Sequence, residues 1–582
     1  MVAQGVEAYA DPRHVARSLE EIATFLQLGG RDRFRVRAYE QAAQIVKTVG
    51  PDLGHLVEQG ELARLSGIGP ALARQIEELW RNGASDYLER LRSEYPAGAA
   101  ELARIPGMTL SRIRALSVAL GIASVAQLQA ACAAGRVREV RGFGEKTEQR
   151  LLQACEKALQ HNAERRPSLI LSAGLELARQ MQAALQLGAD ELQCVGALRR
   201  GEETVEEIEL AVRRDQAGAL RRLELESQIA RVDLSQGVAH STAGVPIRLH
   251  CVQVDWGNTL VETTGSARHV EALAERAERR GFALGRPPPD AVERAALPVR
   301  AFPTERALYE SLDLHWVPPE LREGADELQQ AEQRGFEDLV QTQDIVGMVH
   351  CHTNYSDGQH SILEMARAAH ALGAQYITIT DHSMSARYAR GVPLSRLQQQ
   401  WDEISAAREA VPIQILRGTE VDILADGQLD YPDAVLEQFD ILIASIHARH
   451  RADRQTMSQR LSRALSLPLF KIWGHPLGRI LNHRAPIDCD LLALLDVLSR
   501  SQGAIEINAD PYRLDLPPAW IPAARERAIP FVISVDAHST RGFGVLQYGV
   551  TMARRGGVRA REVLNTLPGQ AFARRVKPTG AV

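Results

Sequence analysis

From residue 343 onward the chain repeats one device: a short run of apolar and β-branched residues, followed almost at once by a histidine or an acid. The runs are DIVGMVHCH, QYITITDH, IQILRGTEVDI, DILIASIHA, LFKIWGHP, GAIEINAD and PFVISVDAH. Strands that are apolar nearly throughout need cover on both faces, which a parallel sheet wrapped by helices provides. Seven such runs alternating with helical stretches predict a distorted (β/α)7 barrel, one unit short of the common eight-stranded form. Barrels of this architecture keep their chemistry at the C-terminal ends of the strands. The histidines and acids stand at those ends.

His350 and His352 are two residues apart, so on a strand they share a face. Asp357 follows in the next turn; His382, Glu420, His447 and His475 close the next four strands; Asp536 and His538 are again two apart on the last. One such histidine alone would be read as a structural residue. Nine histidines and acids at or just beyond corresponding strand ends point instead to a metal cluster. Imidazole and carboxylate together suit zinc, manganese or iron rather than calcium, and two or three ions are expected. Such ions lower the pKa of a bound water and hold phosphate oxygens. Arg479 in GHPLGR and Arg513 in NADPYRLD lie in loops after strands and are candidate phosphate contacts. His360, His370, His450 and His483 are read as surface residues.

The front of the chain differs. Residues 1 to about 165 read as short amphipathic helices separated by glycine turns. LSGIGPA places Gly67 and Gly69, and VRGFGEK places Gly142, Gly144 and Lys146, in a G-x-G hairpin. Its backbone N–H groups can meet a DNA phosphate at a helix N-terminus. IPGMTL is a weakened copy, with Gly107 kept and Thr109 at the second glycine. Together the three turns favour DNA-backbone binding over plain helix connection. Net charge gives no help, because it is −5. At 582 residues the chain needs several domains. Six scattered cysteines with no C-x-x-C pair fit the reducing cytoplasm, and no apolar run is long enough to span a membrane.

The run HCHTNYSDG, with TDHS, GTEVDIL, SIH, GHP and SVDAHS, resembles the PHP (polymerase and histidinol phosphatase) domain. That resemblance implies a phosphoesterase using manganese or zinc. FRVRAYEQAA, VGALRRGEETVEEIEL, TTGSARHVEAL and WVPPELREGADELQQA resemble bacterial family X DNA polymerases, which carry a PHP domain at the C-terminus. The domains implied are an N-terminal helical helix-hairpin-helix domain (1–82) and a fingers-like helical domain with two such motifs (83–165). A nucleotidyltransferase-like α/β palm (166–255), a thumb (256–320), a linker (321–342) and the PHP barrel (343–582) follow.

The polymerase chemistry does not carry over with the resemblance. Two-metal nucleotidyl transfer uses a D-x-D pair and a third aspartate. Glu207 and Glu209 hold the pair positions, and Arg248 is assigned to the third. The GS turn reads Gly196-Ala197, with Arg200 just beyond, so its hydroxyl is gone; Thr263 replaces the aromatic before TGS. Gln75 stands where a Schiff-base lysine would lie in lyase-active relatives. The expectation is therefore a monomeric cytoplasmic DNA-repair protein acting on gapped, nicked or 3′-ended DNA. Its barrel would be a metal-dependent phosphoesterase, through 3′-5′ exonuclease, 3′-end processing or abasic-site cleavage. Polymerase activity would be lost or very weak, and nucleotide binding is left unsupported. The alternatives are an active gap-filling polymerase with an accessory nuclease, a non-catalytic DNA-binding scaffold, and a small-molecule phosphatase.

Overall fold

The computed structural model describes residues 12–578 except 31–32, 50–52, 66, 97, 104, 164–166, 189, 227, 253–254, 285–296, 449 and 451. The chain divides into two units, residues 1–167 and 168–582.

The first unit is helical among its described residues. Its helices include Pro12–Leu28, Arg33–Val49, Pro70–Asn82, Asp86–Glu94, Leu110–Leu120, Val125–Ala133 and Glu145–Ala163. Helices this short are marginal alone, so each is held by an apolar stripe facing a shared core. Leu19, Ile22, Ile76, Leu91, Ile113, Leu128 and Cys155 belong to that core. Serine and threonine caps set the starts: Ser85, Thr109 and Ser124 accept from the amides of Leu88, Arg112 and Gln127. Among the described residues, no single helix is long and apolar enough to cross a membrane.

The second unit opens with a short antiparallel pair, β1 (Leu169–Ile170) and β3 (Thr204–Val205). The palm-like sheet runs in the order β2 (Leu192–Val195), β4 (Ile208–Val212), β7 (Pro246–Cys251), β6 (Val238–Ser241), β5 (Ile229–Asp233). Of its pairings only β4–β7 is parallel. Helices Trp256–Thr264, Ala267–Arg279 and Glu305–Ser311 follow, with a core around Leu273, Leu308 and Tyr309.

The remaining strands form one parallel sheet in chain order: β8 (Gly347–Cys351), β9 (Tyr376–Ile379), β10 (Gln414–Asp422), β11 (Ile441–Ser445), β12 (Lys471–Trp473), β13 (Gly503–Asn508) and β14 (Phe531–Ser534). It closes on itself, for Val535 N–H donates to Val349 O and Ala537 N–H to His350 O, at 3.1 and 2.9 Å. The seven-stranded barrel expected from the apolar runs is the fold observed.

Side-chain alternation explains how one interior can be oily below and polar above. Leu416 leads through Gly418 to Glu420, Ala504 to Glu506 and Asn508, and Val532 through Ser534 to Asp536. The lower positions join Ile441, Ile443 and Ile472 in a core with Phe572 and Val576 of the C-terminal helix Gly569–Val576. That helix plugs the N-terminal mouth, with Phe572 stacked at 4.7 Å on Tyr376. The polar positions are left at the other mouth.

Candidate metal centre

The nine residues meet at the C-terminal mouth of the barrel. Four overlapping groups bring their ligand atoms within 4.8 Å of one another: His352, Asp357, His382 and His538; His350, Glu420 and His475; His350, His352 and Asp536; His382, Glu420 and His447. Glu420 sits at the centre. Its Oε1 lies 2.8 Å from His475 Nε2 and 3.2 Å from His447 Nε2, while Oε2 lies 2.8 Å from His382 Nδ1. Asp357 is 3.5 Å from His538 Nε2 and 3.6 Å from His382 Nε2, and Asp536 is 3.3 Å from His352 Nε2. His350 Nε2, both ring nitrogens of His352 and Asp357 Oδ1 are buried without a hydrogen-bond partner. Buried polar atoms left unpaired are costly, and in a cluster of imidazoles and carboxylates they fit a cation.

The strands end sooner than the sequence suggests. β8 stops at Cys351 and β14 at Ser534, so His352, Asp536 and His538 follow the last strand residue. Alternation along the strands carries the side chains to the mouth, and backbone bends complete the approach of three of the nine: His350, His475 and Asp536 have φ of +67°, +23° and +48°. Non-glycine residues seldom adopt such angles unless the surroundings enforce them, and they gather at functional sites.

Two carboxylates unremarked in the sequence hold the cluster from behind. Glu506 Oε1 lies 2.6 Å from His350 Nδ1 and also receives the His475 amide through Oε2. Asp422 accepts from His447 Nδ1 and, at 2.6 Å, from Ser385 Oγ. Second-layer carboxylates of this kind fix which ring nitrogen faces a metal. Both were signalled: Glu506 is an acid inside the apolar run GAIEIN, and Asp422 is two residues from Glu420 on the same strand face.

Charge is shared unevenly. Burial lowers the affinity of the His382 and His538 rings for a proton, but Glu420 and Asp357 raise His382 well above the ordinary range, and Asp357 and Asp536 raise His538 to about 9. His352 goes the other way: burial, then His538 and His382, push it down to about 4. The carboxylates thus make the mouth a place that favours added positive charge.

The two arginines part company. Arg513 Nε lies 3.5 Å from Asp536 Oδ2 at the edge of the cluster. Arg479 does not face the cluster in the same way; it donates to Arg513 O at 2.8 Å, to Leu514 O, and to Glu203 Oε1 at 2.8 Å. An aromatic ring also borders the mouth. Tyr388, 65% exposed, stands with its ring 5.8 Å from that of His382 and 5.9 Å from that of His447. His370 and His483 are exposed, whereas His360 and His450 are half-buried.

The glycine turns share one geometry. Gly67, Gly107 and Gly142 have φ of +92°, +87° and +94°. The next residue of each turn, Ile68, Met108 or Phe143, is buried and donates its amide to Leu65, Ile105 or Val140 O at 3.0 Å. The degenerate copy keeps this shape because the second glycine is extended: Gly69 has φ −79° and ψ 170°, and Thr109 −110° and 162°. A Cβ at Gly69 or Gly144 would meet open space. Lys146 is exposed beside it.

At the palm-like site both acids already have side-chain partners. Arg248 Nε lies 2.8 Å from Glu207 Oε1, and His250 Nε2 lies 3.0 Å from Glu209 Oε1. Pro246, Arg248 and His250 alternate along that face of β7, and none is a carboxylate. Gly196 has φ +66°, and a Cβ there would collide with Glu209. Arg200 donates to Thr264 O at 2.8 Å and pairs with Glu202 and Glu323.

Fold and site together define a class: helix-hairpin-helix modules and a polymerase-type α/β region joined to a PHP barrel. The sequence matches a helix-hairpin-helix domain over residues 11–85, a SAM-like helix-hairpin-helix tandem over 99–157, the DNA polymerase beta thumb over 259–323 and the PHP domain over 349–510. It is 34% identical over 564 residues to the DNA polymerase/3′-5′ exonuclease PolX of Bacillus subtilis (strain 168), covering 95% of this chain and 97% of that one. A probable phosphatase of Thermoanaerobacter pseudethanolicus is 27% identical over 230 residues, 37% of this chain and 89% of its own. Another, from Caldanaerobacter subterraneus, is 28% identical over 201 residues, 32% of this chain and 74% of its own. The chain belongs to the family X DNA polymerases with a C-terminal PHP domain. The PHP domain implies divalent metal ions, and the hairpin and thumb domains indicate DNA binding.

Proposed function

We propose that this protein is a DNA-repair phosphoesterase whose barrel removes or trims 3′ ends, and that its polymerase site no longer transfers nucleotides. The observation that carries the reading is a contrast between two acidic sites. In the barrel, buried ring nitrogens and carboxylate oxygens lack partners; in the palm, Arg248 and His250 already pair with Glu207 and Glu209. The Arg248 guanidinium beside Glu207 opposes a magnesium ion there.

His350, His352, Asp357, His382, Glu420, His447, His475, Asp536 and His538 would hold two or three ions, manganese first, with zinc or iron as alternatives. Bound there, the ions would neutralise phosphate charge and make water a better nucleophile. The rest falls to the chain itself. Arg513 is placed to contact a phosphate oxygen, and the open face of Tyr388 suits a terminal base. The hairpin turns at Gly67, Gly107 and Gly142 offer amides to the DNA backbone, with Lys146 adding charge. The substrates proposed are gapped, nicked or 3′-ended DNA, with abasic-site cleavage as a further outcome, acted on by a monomer.

The test is a metal-titrated assay on 3′-labelled gapped DNA. Wild type should release nucleotides or end groups, and His350→Ala should abolish release while leaving DNA binding intact; unchanged release would place the chemistry elsewhere. The gap-filling alternative draws on the name of the Bacillus subtilis relative. Robust primer extension that disappears in Glu209→Ala would restore it. Preference for a small phosphate monoester over DNA ends would favour a small-molecule phosphatase, and DNA binding without hydrolysis in any metal would favour a scaffold.

A further inference from the structure

Arg479 is 9% exposed, four residues after His475, and its contacts lead in two directions. Toward the barrel mouth it donates from Nε to Arg513 O at 2.8 Å and from Nη2 to Leu514 O. The segment it grips is otherwise tied to the same loop: Leu481 N–H donates to Tyr512 O at 2.7 Å, and Leu477 N–H to Asp515 Oδ2 at 3.0 Å. Arg513 projects from this segment to within 3.5 Å of Asp536 Oδ2. Away from the barrel, Arg479 Nη2 lies 2.8 Å from Glu203 Oε1, in the polymerase-type region.

Glu203 is itself firmly mounted. Its carbonyl accepts from Leu171 N–H at 3.0 Å, at the start of the β1–β3 pair. The turn before it is clamped to the barrel helix Leu546–Arg555, since Arg555 Nη1 donates to Arg200 O at 2.8 Å. Gly201 lies so close to Thr551 that a Cβ there would fall 2.3 Å from its methyl group. Asn482 adds a contact from the same barrel loop to Ser168.

We propose that Glu203 is a positioning residue for phosphoester hydrolysis: through Arg479 it fixes the 510–516 loop and thereby the Arg513 guanidinium beside Asp536. The turn that follows Gly196-Ala197 in the palm-like region thus braces the barrel mouth. This rests on the hydrolytic reading of the barrel given above. A carboxylate–guanidinium pair this well enclosed is directional, so removing its charge frees Arg479 to swing and loosens the carbonyls it holds.

The test uses the full chain, with kcat and KM measured on a 3′-labelled oligonucleotide in manganese for Glu203→Gln, Arg479→Lys and Arg513→Ala, and for Glu203→Gln combined with Arg513→Ala. Misplacing a group that meets the reacting phosphate lowers turnover steeply, and Glu203→Gln is expected to cost about tenfold in kcat with KM and bound metal unchanged. In the Arg513→Ala background the same substitution should cost less than about twofold, because the group it positions is gone. Arg479→Lys should behave as Glu203→Gln does, and it serves if that variant misfolds. Equal losses in both backgrounds would make the pair merely structural and overturn the proposal, as would no loss in either. A wild-type chain that releases nothing would instead overturn the hydrolytic reading, and the brace with it.

Discussion

Glu506 shows what one buried side chain does for the cluster. It touches no other predicted ligand than His350 and the backbone of His475, yet it settles which nitrogen of His350 faces the mouth. Glu506→Gln keeps the size and loses the charge, so metal affinity should fall about 10- to 100-fold, read by titration of the metal-free protein with manganese. A change below about twofold would mean His350 needs no such partner. Tyr388 offers a second residue-scale prediction. A base stacked on an aromatic ring is worth about 1–3 kcal/mol. Tyr388→Ala should slow release from a base-bearing 3′ end about tenfold and leave an abasic 3′ end unaffected, with Tyr388→Trp close to wild type. Equal slowing on both ends would show that the ring helps assemble the cluster instead. Eight of the nine histidines and acids stand in or just after an apolar run, and Asp357 lies in the turn that follows the first; Tyr388, in the polar loop SMSARYARG, has no such frame, and only the fold brings it beside His382 and His447.

At the scale of elements, the hairpin turns separate shape from contact. Gly69 is extended and its Cβ direction is open, and Thr109 already occupies the equivalent place in the third turn. Gly69→Ala should therefore leave thermal unfolding nearly unchanged while weakening binding to duplex DNA, measured as anisotropy against salt. A large drop in melting temperature would assign that glycine to packing. The thumb-like helices carry a different device. Glu305, buried, takes two bonds from Arg199 at 2.7 and 2.8 Å and one from Arg322 at 2.6 Å, joining the palm turn to the helix Glu305–Ser311. Burial alone would raise its pKa, but Arg322 and Arg199 hold it at about 2, against an ordinary 4.5. A carboxylate depressed in this way contributes fully above its unfolded value and loses that contribution as pH falls toward about 2. Glu305→Gln should lower stability at pH 7 by about 3–5 kcal/mol and flatten the acid-side slope of stability in that window. An unchanged slope by denaturant titration would place the acid sensitivity elsewhere.

On the scale of the whole molecule, the hairpin turns and the histidine–carboxylate cluster lie in separate units. Chelation should abolish hydrolysis and leave DNA binding in place, measured on one sample before and after manganese is restored; loss of both would tie the hairpin unit to the metal. The sequence by itself determined the barrel, its seven strands, the mouth at which the histidines and acids gather and the three hairpin turns. The reason is that these features recur along the chain: each barrel strand is a continuous apolar run buried on both faces, and a G-x-G turn must repeat its own backbone geometry. What only the tertiary structure decided were pairings between residues far apart in the chain. Glu207, just before β4, finds Arg248 on β7, and Glu209 on β4 finds His250, while Arg479, read along the chain as a phosphate contact, joins Glu203 to the loop of Arg513. Local sequence sets which way a side chain leaves its own strand, but the charge it meets is set by where the rest of the chain has folded.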